Sequence, residues 1–306
     1  MATDENSTMN FELYPWMRDL ESPEARDALE TARRTYLEMG AVTLPNFVTH
    51  EALQIMAQQA RDAEDAAFTT DSTHTAYLKE ADFERFAKES VYNHSMRTQV
   101  ASTAFDELPI DSPLAALYRH PTLLELVSRI VTGKSKQLYL SADPLGCCSI
   151  NVFRPGYHHS FHFDESIFST TLMLQEASEP DSGLFQYTPP LRDDKTNLAL
   201  TDVAAAIQAY DEETPIPTPF VESTPNGDNP AAPPMLRTLD FQAGTLSIFS
   251  GSRSLHRVTR VRGTCSRLVA VLTYGARPGF CNSAAVQKLF WGRSVQPANV
   301  VSNVVH

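Results

Sequence analysis

The chain has 306 residues, 42% hydrophobic and 20% charged, enough apolar content to bury a sizeable core in one elaborated domain or two small ones. Its formal net charge of -12, from 25 basic and 37 acidic residues, argues against a general nucleic-acid binder and against a polybasic membrane-surface protein. No apolar run approaches the roughly 18 to 20 residues of a membrane span. Met1 to Asn10 also lack the basic and apolar regions of a secretory signal, so a cytoplasmic location is expected.

Residues 1–135 read as mainly helical. Ser22-Pro23-Glu24 combines an N-cap residue, a proline at the first helical position and an acid in the first turn, and the segment runs to a stop at Gly40. A short strand, Ala41 to Leu44, ends at Pro45-Asn46. Thr49 then opens a second helix with Leu53, Met56 and Ala60 on one face. Another helix starts near Pro121 and ends at Gly133, its stripe formed by Leu123, Leu124, Leu126 and Val127.

From Lys136 the period becomes strand-like. Gln137 to Ser141, Ser149 to Phe153, Ser160 to Phe163, Ser169 to Leu174, Gly183 to Tyr187, Thr245 to Ser250 and Arg267 to Tyr274 are strand candidates. So many short strands imply a sandwich or jelly roll over 136–280. Residues 202–235 form an insertion, with a helix over Asp202 to Tyr210 and a segment, Thr214 to Met235, whose seven prolines mark a surface loop or lid. Residues 281–306 are expected to close the site. The four cysteines, Cys147, Cys148, Cys265 and Cys281, form no C-x-x-C pair and read as reduced thiols.

Chemistry concentrates in His158-His159-Ser160-Phe161-His162-Phe163-Asp164-Glu165. On a strand, residues two apart share a face, so His162 and Asp164 point into one cavity while Phe161 and Phe163 pack behind. His256, just after the strand Thr245 to Ser250, is the candidate third ligand. Two imidazoles and one carboxylate on one face leave the remaining octahedral positions open, the arrangement of non-haem iron(II) oxygenases. Alone, H-x-D is a weak motif that also fits a surface strand or a satisfied core pair. Alternation along Arg267 to Tyr274 puts Arg267, Val269, Val271 and Thr273 on one face, taken as the lumen face. A guanidinium buried there needs an anion, and the distal carboxylate of 2-oxoglutarate would supply one; a salt bridge to an acid elsewhere is the alternative.

These residues resemble the iron/2-oxoglutarate oxygenase superfamily, and within it the branch of amino-acid hydroxylases and radical halogenases. The similar phrases are Ile150-Asn151-Val152-Phe153-Arg154-Pro155-Gly156, His162-Phe163-Asp164-Glu165-Ser166, Gly244-Thr245-Leu246, His256-Arg257-Val258-Thr259, Ala270-Val271 and Pro278-Gly279. The resemblance implies a double-stranded β-helix, or jelly roll, mainly β with flanking α-helices. It gives His162, Asp164 and His256 to Fe(II) and Arg267 to 2-oxoglutarate, with O2 as oxidant and ascorbate as a reductant. Halogenating members replace the metal carboxylate by a small residue; Asp164 is kept here, so hydroxylation, desaturation or cyclisation is the expected reaction.

The same branch implies a substrate clamp. The matching positions are His159, Trp291 and Arg97 for a substrate carboxylate, the last from the helical region, and Glu165 for its amine. His159 lies three residues before His162, so a bend at Ser160 is needed to bring both to one face. Val271 and Thr273 would line the pocket end, and an apolar Val271 favours a small aliphatic amino acid as the substrate. Bland readings exist for each: Trp291 closing the core, Arg97 a solvated residue, His158-His159 a surface turn. Two rival functions are a zinc-dependent hydrolase using the same three ligands and a non-catalytic metal-binding jelly roll.

Overall fold

The computed structural model describes residues 8–109, 111–211, 213 and 232–295. Helix α1, Pro23–Met39, begins where Ser22 accepts from the Ala25 N–H and ends at Gly40 with φ 83. It feeds directly into β1, Ala41–Leu44. Helix α2, His50–Asp62, is capped by Thr49. Helices α3, Pro113–Arg119, and α4, Pro121–Thr132, abut at His120, whose ring accepts from the Thr122 N–H; Gly133, φ 73, closes α4. Caps of this kind satisfy backbone groups that the helix itself leaves unpaired.

The remaining strands are β2 Phe68–His74, β3 Met96–Thr103, β4 Tyr139–Leu140, β5 Cys148–Phe153, β6 His159–His162, β7 Ser169–Gln175, β8 Phe185–Tyr187, β9 Arg237–Thr238, β10 Leu246–Phe249, β11 His256–Val258, β12 Arg267–Leu272 and β13 Tyr274–Gly275. Helix α5 is Leu200–Tyr210 and α6 is Ala284–Trp291. A seven-stranded antiparallel sheet runs β1-β10-β7-β12-β5-β3-β2, and a four-stranded one runs β6-β11-β8-β9. This is the jelly-roll arrangement, mainly β with flanking helices.

Alternation decides what each face of the large sheet does. Ile150, Val152, Leu172, Leu174, Leu268 and Ala270 join one apolar cluster with Leu29 of α1, Met56 of α2 and Leu126 of α4. Their neighbours Phe153, Met173, Phe249 and Val269 face the other way, against Phe185, Tyr187 and Val258 of the small sheet. The lumen lies between these two inner faces. Outside the small sheet, Phe161 and Phe163 pack against Val203, Ala206 and Ile207 of α5, so they back the motif strand as expected.

Three expectations change. Residues 1–135 are not simply helical, because β2 and β3 complete the large sheet. Their sequences, FTTDSTH and MRTQVAST, put polar side chains such as Thr98 and Ser102 on the inner face, which removes the apolar alternation that reveals a strand. The strand expected over Gln137 to Ser141 is only Tyr139–Leu140. The one expected over Arg267 to Tyr274 breaks at Thr273, after which β13 pairs with β4 in a separate two-stranded sheet. Of the Pro-rich segment Thr214 to Met235, residues 214–231 lie outside the described residues.

Gly40 sits in the left-handed region, and a Cβ there would meet the Ser254 hydroxyl and lie 3.2 Å from Pro190 Cδ. Gly40→Ala should therefore cost about 1–3 kcal/mol in strain and crowding. Urea unfolding of the two proteins checks this; an unchanged midpoint would show that the turn rearranges freely.

Candidate metal centre

Strands β6 and β11 pair so that His162 stands directly opposite His256. Directly opposed residues in an antiparallel pair project to the same face, so the two rings meet with centroids 4.2 Å apart. Asp164 follows just past the end of β6. Its Oδ1 lies 3.4 Å from Nε2 of His162 and 3.4 Å from Nε2 of His256. One ligand atom from each residue falls within a common 4.8 Å. Separations of this size are what three donors sharing one ion would have, given metal–ligand bonds of about 2 Å.

The protonation states suit a cation. Nδ1 of His162 is 2.8 Å from the Ser160 carbonyl, and Nδ1 of His256 is 2.9 Å from the Ser254 carbonyl. Each Nδ1–H donates to the carbonyl two residues back, which leaves both Nε2 lone pairs directed at the common point. Burial, reinforced by His256 nearby, lowers the His162 pKa and favours the neutral ring. Burial alone would raise the Asp164 pKa, but His256 and His162 outweigh it and hold the carboxyl well below the usual carboxylate range. Ser169 Oγ donates to Asp164 Oδ2 at 2.6 Å, and the Asp164 N–H donates to the Gly251 carbonyl at 2.9 Å. One carboxylate oxygen is thereby tied back, and Oδ1 is left for the histidine pair.

His159 joins this group through a register shift. Between Val258 and His256 one residue intervenes, whereas between their partners His159 and His162 two do. The extra residue is a β-bulge, which rotates the strand and restores His159 to the face of His162. Their rings stack at 3.8 Å. Ser160 anchors the bulge, its Oγ donating to the Arg97 carbonyl at 2.6 Å and its N–H to Thr98 Oγ1. A fourth imidazole, His74 of β2, packs edge-on to both His159 and His162. Its Nδ1–H donates to the Thr75 carbonyl and its Nε2 accepts from Thr98 Oγ1. Burial first, then His162, brings its pKa down to about 4. Sequence reasoning missed His74 because β2 itself went unrecognised.

Arg267 opens β12 and is 2% exposed. Among the described residues no carboxylate pairs with it, and its Nε has no hydrogen-bond partner. The Phe153 and Phe241 rings flank its guanidinium at 5.3 and 5.8 Å. Burial pushes its pKa down to about 9, the signature of a cation without its counter-ion. Arg267 lines a cavity of ≈ 170 Å³ together with Met173, Phe185 and Gln242. Phe185 also packs 5.5 Å from the His256 ring, so that cavity and the His-Asp-His group share a wall.

The other sequence candidates divide. Val271 is partly buried on the same face of β12 as Arg267 and Val269, opposite Ser149 and Thr171. Thr273 falls outside the strands, its N–H donating to the Cys147 carbonyl. Trp291, 8% exposed, closes against Ala104 and Leu145, with a buried Nε1 that has no partner. Glu165 is exposed next to Asp164. Arg97 is a correction: it is not in a helical region but on β3, on the opposite face from Thr98, and pairs with Asp71 through two hydrogen bonds of 2.9 and 2.7 Å. Strand alternation turns it away from the histidines, and Asp71 satisfies its charge.

No family model and no curated protein matches the sequence. Solved structures do match. The carbocyclase SnoK from nogalamycin biosynthesis, a non-heme alpha-ketoglutarate-dependent enzyme, superposes with a TM-score of 0.52 at 15% identity over 92% of this chain and 96% of its own. The epimerase SnoN, in complex with Fe3+, alpha-ketoglutarate and nogalamycin RO, gives 0.50 at 15% identity over 89% and 94%. At such identities the likeness is one of fold: this chain shares the jelly-roll architecture of those structures.

Gly251 is the close-approach position of the centre. A Cβ there would lie 2.7 Å from Asp164 Cγ, nearer than two carbons can pack. Gly251→Ala should displace the carboxylate and weaken divalent-metal binding by roughly tenfold or more while leaving the far-ultraviolet circular dichroism unchanged. Titration with Mn(II), followed by calorimetry, measures the loss; equal affinities would show that Asp164 is not held there.

Proposed function

We propose that this chain is an Fe(II)/2-oxoglutarate-dependent oxygenase that oxidises an unactivated C–H bond of a small organic substrate, releasing succinate and carbon dioxide. The observation that carries the reading is the combination of His162, Asp164 and His256 around one point with a buried, unpaired Arg267 across a shared wall. A zinc hydrolase would explain the three donors but gives Arg267 nothing to do. The donor set, two neutral nitrogens and one carboxylate oxygen, fits ferrous iron with positions to spare.

Bound iron and 2-oxoglutarate supply the oxidising power, through oxidative decarboxylation of the keto acid. The chain's own residues position and shield. His162 and His256 present Nε2 because the Ser160 and Ser254 carbonyls hold Nδ1–H. Ser169 holds one oxygen of Asp164 so that the other stays in place. Arg267 anchors the far carboxylate of the co-substrate, between the Phe153 and Phe241 rings that keep water away. Retention of Asp164 supports hydroxylation, desaturation or cyclisation over halogenation.

For the organic substrate we infer a free amino acid with a small aliphatic side chain. His159 supports this reading: its residue is partly exposed, and its ring stacks on His162 and makes no hydrogen bond to any described residue. Val271 and Trp291 would line the apolar remainder, with the unpartnered Trp291 Nε1 available to a polar group. Glu165 provides a carboxylate for an amine.

Succinate release from 2-oxoglutarate in the presence of Fe(II), ascorbate and a panel of amino acids tests the function. Iron should support turnover, zinc should inhibit it, and Asp164→Ala should abolish it; normal turnover by that variant would overturn the site. Arg267→Met removes an uncompensated buried cation, so it should leave the thermal midpoint of the ligand-free protein unchanged or raised. The same variant should lose the stabilisation that 2-oxoglutarate confers on the unaltered chain. A retained ligand-induced shift would assign the co-substrate elsewhere.

A further inference from the structure

Strand β6, which carries His162, is the edge strand of the small sheet, and among the described strands it pairs in a ladder with β11 alone. An edge strand presents backbone groups that still need partners. Here the ends of β2 and β3 supply them. The Gln99 N–H donates to the His158 carbonyl at 2.9 Å, and the Phe163 N–H donates to the carbonyl of Ala76, just past β2, at 2.8 Å. Between these two backbone bonds lies Ser160, whose N–H finds a side-chain acceptor, Thr98 Oγ1, at 3.2 Å. A hydroxyl stands at the bulge where a regular ladder would put a carbonyl.

That replacement carries a condition. A carbonyl only accepts, but a hydroxyl both donates and accepts, so it accepts well from an N–H when its own proton is directed elsewhere. His74 takes that proton: its Nε2 lies 2.5 Å from Thr98 Oγ1. The other end of the ring fixes the roles. Nδ1 is 2.9 Å from the Thr75 carbonyl, which can only accept, so the proton of the neutral ring sits on Nδ1 and Nε2 is left as an acceptor. The bonds then run in one consistent direction, from Ser160 N–H to Thr98, from Thr98 O–H to His74, and from His74 N–H to Thr75. Ser160, Thr98 and Thr75 are all buried, so water does not compete for them.

The group held at the end of this chain is the one behind a metal ligand. The Ser160 carbonyl accepts Nδ1–H of His162 at 2.8 Å, so the placement of Ser160 sets the direction in which His162 Nε2 points. The His74 ring also packs edge-on to His162 and His159, with centroids 5.9 and 5.6 Å away, and limits rotation of that stacked pair. Both nitrogens of His74 are engaged, so it does not itself offer a donor to the ion.

We propose that His74, acting through Thr98, is a positioning residue of the metal centre: it sets the polarity of the Thr98 hydroxyl, which pins Ser160 at the bulge and so aims His162 Nε2 at the ion. Strands β2 and β3 thus brace the motif strand from the side opposite β11. Any effect of this bracing on turnover rests on the oxygenase reading; its effect on metal binding does not.

The full chain is titrated with Co(II), calorimetry giving the affinity and the visible ligand-field bands reporting the geometry of the donors. His74→Phe keeps a flat ring but has no acceptor, and Thr98→Val keeps the shape but has no hydroxyl. Each should weaken Co(II) binding by roughly tenfold and shift the bands, with the far-ultraviolet circular dichroism unchanged. Because both remove the same chain of bonds, the double variant should bind within about twofold of either single one. His74→Gln, whose amide oxygen can accept from Thr98, should recover most of the affinity and the original bands, a rescue that loss of packing alone would not show. Unchanged affinity and bands in Thr98→Val, losses that multiply in the double variant, or a His74→Gln protein that binds no better than Thr98→Val would each overturn the proposal. Should His74→Phe fail to fold, the last comparison still decides. Succinate formation from 2-oxoglutarate by the unaltered chain is measured alongside; its failure strikes the oxygenase reading and leaves the Co(II) result standing.

Discussion

The register of one short strand pair governs the centre. Because β6 and β11 meet with His162 opposite His256, both rings are delivered to one face by backbone hydrogen bonding alone. Slipping either strand by one residue would turn its histidine to the other side of the sheet, where Phe161 packs beneath α5. The same pairing carries the bulge at Ser160 that brings His159 alongside. Loop residues finish what the register begins: Asp164 is held by Ser169 and by the Gly251 carbonyl, and it fits only because Gly251 has no side chain.

Around this framework the protein buries charges it does not neutralise. Arg267 and Arg192 are each almost wholly removed from water without a carboxylate partner among the described residues, and each costs stability as it stands. Elsewhere the chain pairs its arginines readily, as Arg129 with Glu125, Arg97 with Asp71, and Arg260 with Glu213. The contrast separates guanidinium groups that serve the fold from those left open toward cavities.

The division between what was legible in the sequence and what was not follows the physics of each signal. Helix boundaries at Ser22, Gly40, Thr49, Pro121 and Gly133 were readable because capping and backbone conformation depend on neighbours along the chain. The apolar strands of the core, and the lumen face of Arg267, Val269 and Val271, were readable from alternation. Strands β2 and β3 were not, since a strand whose inner face is polar has no apolar period to detect, and His74 was lost with them. Arg97 was placed in a helical region for the same reason: with β3 unrecognised, nothing indicated which side it faced or that Asp71 stood beside it.

The sequence by itself determined the chemical inventory: two histidines and an aspartate in a pattern suited to iron, an arginine opening a buried strand, and the periodicities of a jelly roll with helices outside. Only the tertiary structure decided which of these groups meet and what each leaves unsatisfied. The Ser160 and Ser254 carbonyls behind the imidazoles, the bulge under His159 and the unpaired state of Arg192 all depend on contacts between segments distant in the chain. Hydrogen bonding and desolvation act through space, and a residue's partners, or the lack of them, exist only once the chain has folded.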